Sequence, residues 1–233
     1  MPGNVKYPML RQPDDITCGP TCLHSVYEYY ADSMALDDVI REVPMLRGGG
    51  TLGALLGTHA LQRGYKVWIY SYNLNVFDPT WFKLPRAALL AKLHQRMLAK
   101  RNTKLRIAIQ AYMDFIEAGG EIRFADLSPS LVSEYLIQGI PILTALSATY
   151  LYKSMREFGK DTVSDDVRGD PQGHFVVLTS FAPDENAVTV ADPYDPESMS
   201  YGHVYKVSME HLICSILLGV VTYDGNLIVI TKK

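Results

Sequence analysis

The order of helical and extended segments constrains the fold of this chain more than any other feature. Apolar residues recur with helical spacing early in the chain, over residues 19–31 and 52–63, whereas apolar strand-like runs gather later, at 140–147 and 174–181. The pattern does not show the regular alternation of strands and helices that a parallel sheet requires. We therefore predict an α+β fold, in which an N-terminal helical part packs against a mainly antiparallel sheet.

Turn and capping residues place the other predicted elements. Further helices are expected at 36–42, 80–100, 103–118, 128–138 and 207–218, and further strands at 65–72, 121–125, 187–191 and 227–231. The segment 153–172 is charged, contains glycine and lacks periodicity, so we predict a surface loop there.

The composition is typical of one soluble globular domain. The chain has 233 residues, of which 48% are hydrophobic and 20% charged, and its net charge is −3. We predict a single domain over 1–233 with a helical insertion at about 79–118, and we expect no nucleic-acid partner because the charge provides no basic field.

The cysteine content and the apolar segments indicate where the protein resides. Three cysteines argue against a disulfide framework and for a reducing compartment. The first residues lack the apolar core of a secretory signal, and the apolar stretch 213–230 is interrupted by a polar turn at 223–226. We therefore expect a cytoplasmic protein with no membrane partner.

Cys18 is the residue with the clearest capacity for chemistry. It stands in the segment 11–22, directly before the predicted helix 19–31. The thiolate is the reactive form of cysteine, and the free N–H groups and dipole at a helix N-terminus favour a negative charge. Gly19 and Pro20 suit a helix start that a substrate must approach closely. A cysteine that only packs in the core is the alternative for this residue taken alone.

Three further residues would complete a thiol-based active site around Cys18. Gln12 lies six residues before it, and a glutamine amide together with a backbone N–H can hold an oxyanion. His174 follows Gly173 at the start of an apolar strand, and Asp192 ends the next predicted strand, so a hairpin would bring these two together. The histidine would exchange protons with the thiol, and the carboxylate would orient the histidine. Taken singly, each has a simpler alternative: a solvated glutamine, a surface histidine at a strand end and an aspartate in a turn.

The segments 12–22 and 173–193 resemble the bacteriocin-processing, double-glycine-leader cysteine peptidases of the papain-like clan. Those proteins share a Gln, five residues and Cys-Gly near the N-terminus, followed by His-Phe-Val-Val-Leu and later Asp-Pro. The stretch 50–67 also resembles their second helix and the strand that follows it. The resemblance implies a papain-like cysteine proteinase fold without metal or organic cofactor. It places the catalytic residues at Gln12, Cys18, His174 and Asp192.

The chain also departs from that family. The helical insertion at 79–118 is longer than the minimal domain needs, and the charged loop 153–172 directly precedes His174. Many relatives are the front domain of an exporter, but no transporter segments follow here. We therefore expect a stand-alone relative, and the substrate of the exporter-linked members does not carry over to it.

These residues together predict a cysteine peptidase or amide hydrolase that acts on a peptide or protein substrate. A glycine-containing cleavage site is one option, with Gly19 and Gly173 as expected substrate contacts. Two alternatives use the same fold. One is acyl transfer or peptide ligation through a thioester, since phytochelatin-type synthases are similar around Gln-x5-Cys-Gly. The other is a non-catalytic module that binds peptide in the cleft.

Other motifs favour structural roles. Cys22 and Cys214 are interpreted as core residues, because no second Cys/His pair completes a zinc site. The glycines at 48–50 lack the lysine of a phosphate-binding loop. Three tyrosines could line a substrate groove, at Tyr150, Tyr152 and Tyr194. Four acidic residues lack the spacing of a calcium loop and are expected to be solvated, at Asp161, Asp165, Asp166 and Asp170.

Overall fold

A computed structural model describes residues 7–159, 162–194, 204–222 and 224–233 of the chain. Asp161 of the predicted acidic loop and Tyr223 of the predicted polar turn lie outside these residues. No helix in the described ranges combines the length and the apolar character that crossing a membrane demands.

Helices dominate the first half of the described chain, and strands dominate the second. The helices are α1 Cys18–Tyr29, α2 Leu36–Glu42, α3 Gly53–Gln62, α4 Arg86–Ala99, α5 Thr103–Glu117, α6 Pro129–Ile137, α7 Ala148–Leu151 and α8 Met209–Leu218. The strands are β1 Lys66–Ser71, β2 Glu121–Arg123, β3 Ile142–Ser147, β4 Glu157–Phe158, β5 Val163–Ser164, β6 Gly173–Ala182, β7 Ala187–Ala191, β8 Val204–Ser208 and β9 Asn226–Thr231.

Seven of these strands form one sheet in the order β2-β1-β9-β3-β6-β7-β8. The pairing of β1 with β2 is parallel, and the other pairings within this sheet are antiparallel. The predicted α+β fold with a mainly antiparallel sheet is therefore confirmed. Because β6 and β7 form a hairpin in which Val177 pairs with Ala191, the residue after β7 comes close to the start of β6.

Each face of the sheet is covered by its own apolar core. On one face lie α1, α3 and α5, which bury residues such as Leu23, Leu56 and Ile109. On the other face lie α6 and α8, which bury Val132 and Leu212 among others. The central strands β3 and β9 are buried on both faces, which explains why their sequences are continuously apolar instead of alternating.

Three predicted segments differ from the structure for local reasons. The helix predicted over 80–100 begins at Arg86, because Pro85 holds its N-cap position in extended backbone and a separate helical turn occupies Pro79–Trp81. The helix predicted over 207–218 begins at Met209, where the Ser208 hydroxyl accepts a hydrogen bond from the backbone N–H of His211. The loop predicted over 153–172 contains the short hairpin β4–β5.

Candidate active site

Cys18 is the first residue of α1, so its side chain lies where the backbone N–H groups of that helix are unpaired. It is buried, with 8% of its surface exposed. The start of α1 packs closely on the rest of the protein, because a Cβ atom at Gly19 would lie 2.6 Å from Cγ2 of Thr51 and 3.2 Å from Cδ2 of Phe175. Glycine at this position therefore lets the first turn of α1 approach β6.

His174 and Asp192 form a buried pair beside Cys18. Nε2 of His174 lies 2.8 Å from Oδ1 of Asp192. The Cys18 thiol and the His174 ring are close enough for charge and hydrogen bonding between them to shift the pKa of both groups. Since Nε2 is engaged by Asp192, Nδ1 is the ring nitrogen left for the thiol. The structure thus brings three of the four predicted catalytic residues into one chain of contacts.

The charges of Cys18, His174 and Asp192 affect the pKa values of one another. Burial acts to raise the pKa of Cys18, but the charge and hydrogen bond of His174, together with backbone hydrogen bonds from Phe175 and Gly19, outweigh it and hold that pKa below the usual value. Burial acts to lower the pKa of His174, but Asp192 and Cys18 raise it to about 10. Burial would raise the pKa of Asp192, yet His174 and several hydrogen bonds lower it. Each of these shifts favours the charged form of its group, so the ionised forms of Cys18, His174 and Asp192 stabilise one another.

Two tyrosines that the sequence analysis did not assign to Asp192 hold its second oxygen. The hydroxyl of Tyr152 donates to Oδ2 of Asp192 at 2.7 Å, and the hydroxyl of Tyr205 donates to the same atom at 2.6 Å. The backbone N–H of Tyr194 donates to Oδ1 at 2.9 Å. Of the tyrosines proposed for a groove, Tyr152 and Tyr194 pack around the His174 ring, whereas Tyr150 stacks on His211.

Gln12 is buried next to this group but has its own contacts. Its backbone N–H donates to the carbonyl of Pro193 at 2.9 Å, which ties the N-terminal arm to the segment that carries Asp192. Its Nε2 donates to the carbonyl of Asp14 at 2.8 Å, and its Oε1 has no hydrogen-bond partner among the described residues. One N–H of the amide is therefore available for another acceptor.

A cleft of about 410 Å³ opens beside Cys18 and His174. Its walls come from the loop before α3, the N-terminal part of α5, the start of β6 and the residues before β9; they include Leu46, Arg47, Gly49, Leu52, Thr103, Ile107, Leu146, Gly173, Phe175 and Asp224. Gly173, which the sequence suggested as a substrate contact, is one of the residues that line this cleft. Gly19 and Gln12 are described but do not line the cleft.

Asp224 is a further buried carboxyl group at the cleft. Its Oδ2 accepts a hydrogen bond at 2.7 Å from the backbone N–H of Gly53, the first residue of α3. Its Oδ1 accepts from Nδ2 of Asn226 at 2.8 Å. Burial raises the pKa of Asp224 to about 7, although these hydrogen bonds act in the opposite direction. The group thus connects α3 to β9.

Among the described residues, the other cysteines and the acidic side chains of the loop make no hydrogen bond to Cys18, His174 or Asp192. Cys22 is fully buried, and its thiol donates to the carbonyl of Phe175, as expected for a core residue. Cys214 is exposed, so its predicted place in the core is wrong, because it lies on the outer face of the amphipathic helix α8. Asp165 pairs with Arg168, and no group of three metal-ligating side chains is found in the part of the chain that is described.

Comparison with known proteins gives one family match and several similar folds. The model of the peptidase C39 like family matches residues 5–214. A candidate C39-like peptidase from Bacillus anthracis has a TM-score of 0.52 and 14% sequence identity, over 98% of this chain and 96% of that one. At this identity the likeness supports the fold.

Two further solved structures are more distant in shape. The double glycine motif protease of an AMS/PCAT transporter, in complex with the leader peptide, has a TM-score of 0.47 and 14% identity over 98% of this chain and 93% of that one. The peptidase domain of Streptococcus ComA, a bifunctional ABC transporter of a quorum sensing pathway, has a TM-score of 0.45 and 14% identity over 97% and 99%. Comparison with curated proteins finds no match.

Proposed function

Since the chain belongs to the peptidase C39-like family, we propose that it is an active cysteine peptidase with Cys18 as its nucleophile. The observation that carries this proposal is the contact chain from the Cys18 thiol through His174 to Asp192, with 2.8 Å between Nε2 of His174 and Oδ1 of Asp192. The helix N-terminus at Cys18 adds to the stabilisation of the thiolate.

In the proposed reaction, the thiolate of Cys18 attacks the carbonyl carbon of a peptide bond in the cleft. The imidazolium of His174 gives its proton from Nδ1 to the departing amine, which leaves an acyl-thioester on Cys18. His174 then takes a proton from water as the water oxygen attacks the thioester, and the carbon–sulfur bond breaks to release the acid and restore the thiolate–imidazolium pair. Asp192 keeps the ring oriented and stabilises its positive charge throughout.

The test of this function is the pH profile of alkylation by iodoacetamide, followed for each cysteine by mass spectrometry. We expect Cys18 to react with an apparent pKa below the free-thiol value of about 8.5, because its thiolate is paired with His174. Buried Cys22, whose pKa is raised by burial, should stay unmodified at neutral pH. Exposed Cys214 provides an internal control for reagent and pH.

The opposite result would favour a module that binds peptide without cleaving it. Such a module has no need of a reactive thiol, so Cys18 would react slowly and with an ordinary pKa. A reactive Cys18 would justify a search for the substrate with peptide libraries.

Gln12 is proposed as an oxyanion donor together with the backbone N–H of Cys18. We expect Gln12→Ala to lower kcat by about 10²–10³-fold, the usual effect of removing one such donor. Gln138→Ala is a matched control, because the exposed Gln138 makes the same type of bond, from Nε2 to the carbonyl of Glu134. Equal rates for Gln12→Ala and the native chain would remove Gln12 from the proposed site and leave the thiol chemistry in place.

The first turns of α5 are proposed to bind part of the substrate, because Ile107 lines the cleft while 40% of its surface is exposed. An apolar substrate side chain packed there would contribute about 1.5–3 kcal/mol. We therefore expect Ile107→Asp to raise KM for a good peptide substrate by roughly 10–100-fold.

The control for this prediction is Ile137→Asp, since Ile137 is an exposed isoleucine at the end of α6 that does not line the cleft. Alkylation of Cys18 by the small reagent iodoacetamide should be unchanged in both variants. An equal rise in KM for the two substitutions would show that the effect is not specific to the cleft.

A further inference from the structure

The Asp192 carboxylate is almost completely buried, with 1% of its surface exposed. A buried charge is stable only when donors replace the water it has lost. The two oxygens of the Asp192 carboxylate have different partners. Oδ1 faces His174 and the backbone N–H of Tyr194, whereas Oδ2 accepts from two tyrosine hydroxyls, those of Tyr152 and Tyr205.

Both tyrosines are placed by the same sheet that carries the pair. Tyr205 lies on β8 and pairs with Val190 on β7, two residues before Asp192. Tyr152 ends the short helix α7, which follows β3 directly, and Leu146 of β3 pairs with His174 of β6. The two hydroxyls therefore approach Oδ2 from separate elements, and they also interact with each other there.

We infer that Tyr152 and Tyr205 are positioning residues that fix the Asp192 carboxylate through Oδ2 and so keep Oδ1 directed at Nε2 of His174. The inference rests on the proposed pairing of Cys18, His174 and Asp192. A carboxylate with one oxygen unpaired could rotate about its Cβ–Cγ bond, whereas two short bonds to the same oxygen oppose that rotation. Hydrogen bonds to an ionised acceptor are about twice as strong as bonds between neutral groups.

The tyrosines are suited to this role because they stay protonated. Burial is the main cause that raises the pKa of both hydroxyls far above the usual value, and the charge of Asp192 adds to it. They therefore remain protonated donors at neutral pH and beyond the pH at which a free tyrosine ionises. In the described part of the chain, the other titratable groups close to Asp192 and its tyrosines include Cys18, Cys22, His174 and Tyr194.

The test replaces each tyrosine by phenylalanine, alone and together, since phenylalanine keeps the ring and removes only the hydroxyl. The first readout is the titration of the His174 ring by NMR, and the second is the pH profile of Cys18 alkylation. With its donors removed, Asp192 is a weaker partner for imidazolium. We expect the pKa of His174 to fall by about one unit in the double variant, and by less in each single variant. The apparent pKa of Cys18 should rise.

Two comparisons separate positioning from a structural effect. Tyr150→Phe removes a hydroxyl two residues from Tyr152 and away from Asp192, so it should leave the His174 titration unchanged. In the Asp192→Ala background, removing either tyrosine hydroxyl should have no further effect, because both act through that carboxylate. If the double Tyr→Phe variant does not fold, the His174 titration in the two single variants provides the test.

An unchanged His174 titration in folded variants would overturn the inference, as would a shift that persists without Asp192. Failure of the proposed function has a different signature. A native chain with an unreactive Cys18 would contradict the peptidase, while the His174 titration would still report whether the tyrosines act through Asp192.

Discussion

Replacing Cys18 by alanine is expected to abolish turnover of every peptide substrate while the chain stays folded. Alanine is compatible with the first position of α1, and the small buried volume that is lost there leaves the rest of the core in place. Without sulfur no acyl-thioester can form, so only the background reaction remains. The measurement is release of product from a fluorogenic peptide, with circular dichroism and thermal unfolding recorded for the same preparations.

The other two thiols provide matched controls. Cys214→Ala changes an exposed thiol, and Cys22→Ala removes a buried thiol one helical turn from Cys18. Both should keep turnover, the second with some loss of thermal stability. If Cys18→Ala hydrolysed peptide at the native rate, the proposed nucleophile would be wrong.

Replacing His174 by alanine is expected to have an effect of similar size. Its positive charge and hydrogen bond oppose the effect of burial at Cys18, so their removal leaves burial as the dominant influence and raises the pKa of the thiol. At neutral pH the thiolate fraction then falls, and no group remains to protonate the departing amine. We expect a loss in kcat of about 10⁴–10⁶-fold, as for other triads that act as a unit.

The alkylation rate and the turnover of the His174→Ala variant should depend on pH in different ways. Part of the alkylation rate of the His174→Ala variant should return as pH rises, because hydroxide then forms the thiolate. Turnover should not return in proportion, since the proton donor is still missing. His211→Ala is the control: this histidine stacks on Tyr150 and bonds the carbonyl of Leu151, so it lies near the site without contacting Cys18.

A double substitution adds a stringent check. Residues of one catalytic unit lose their effect once a partner is absent. The Cys18→Ala, His174→Ala chain should therefore be no slower than Cys18→Ala alone. A further fall in rate would mean that His174 acts in some other way.

The periodic elements of the fold could be predicted from the sequence, because their apolar residues face a core in a regular manner. Helix α2 and strand β7 have the predicted bounds, and α1, α3 and α5 differ from prediction by one or two residues. The short elements were missed. Strand β8 lies at the edge of the sheet with much of its surface exposed, and α7 is four residues long, so neither has a strong apolar pattern.

Some residues of the candidate site could likewise be predicted from the sequence, and others could not. Cys18, His174 and Asp192 could be proposed because each stands at the start or end of a predicted element, and a hairpin joins two of them. The donors to Oδ2 of Asp192 could not be proposed from the sequence, because Tyr152 and Tyr205 are far apart along the chain and come together only in the folded protein. The same holds for Ile107, whose place at the cleft depends on how α5 packs.

The contact between Asp224 and Gly53 has a consequence for the stability of the cleft. The pKa of Asp224 is raised from 3.8 to about 7 by burial, so the folded chain holds a proton there that the unfolded chain releases. The free energy of unfolding must then decrease as pH rises from about 4 to about 7, by up to about 1.4 kcal/mol per pH unit from this group. This loss is complete above about pH 7, so the cleft has already lost the contribution of protonated Asp224 in the alkaline buffers that favour the thiolate.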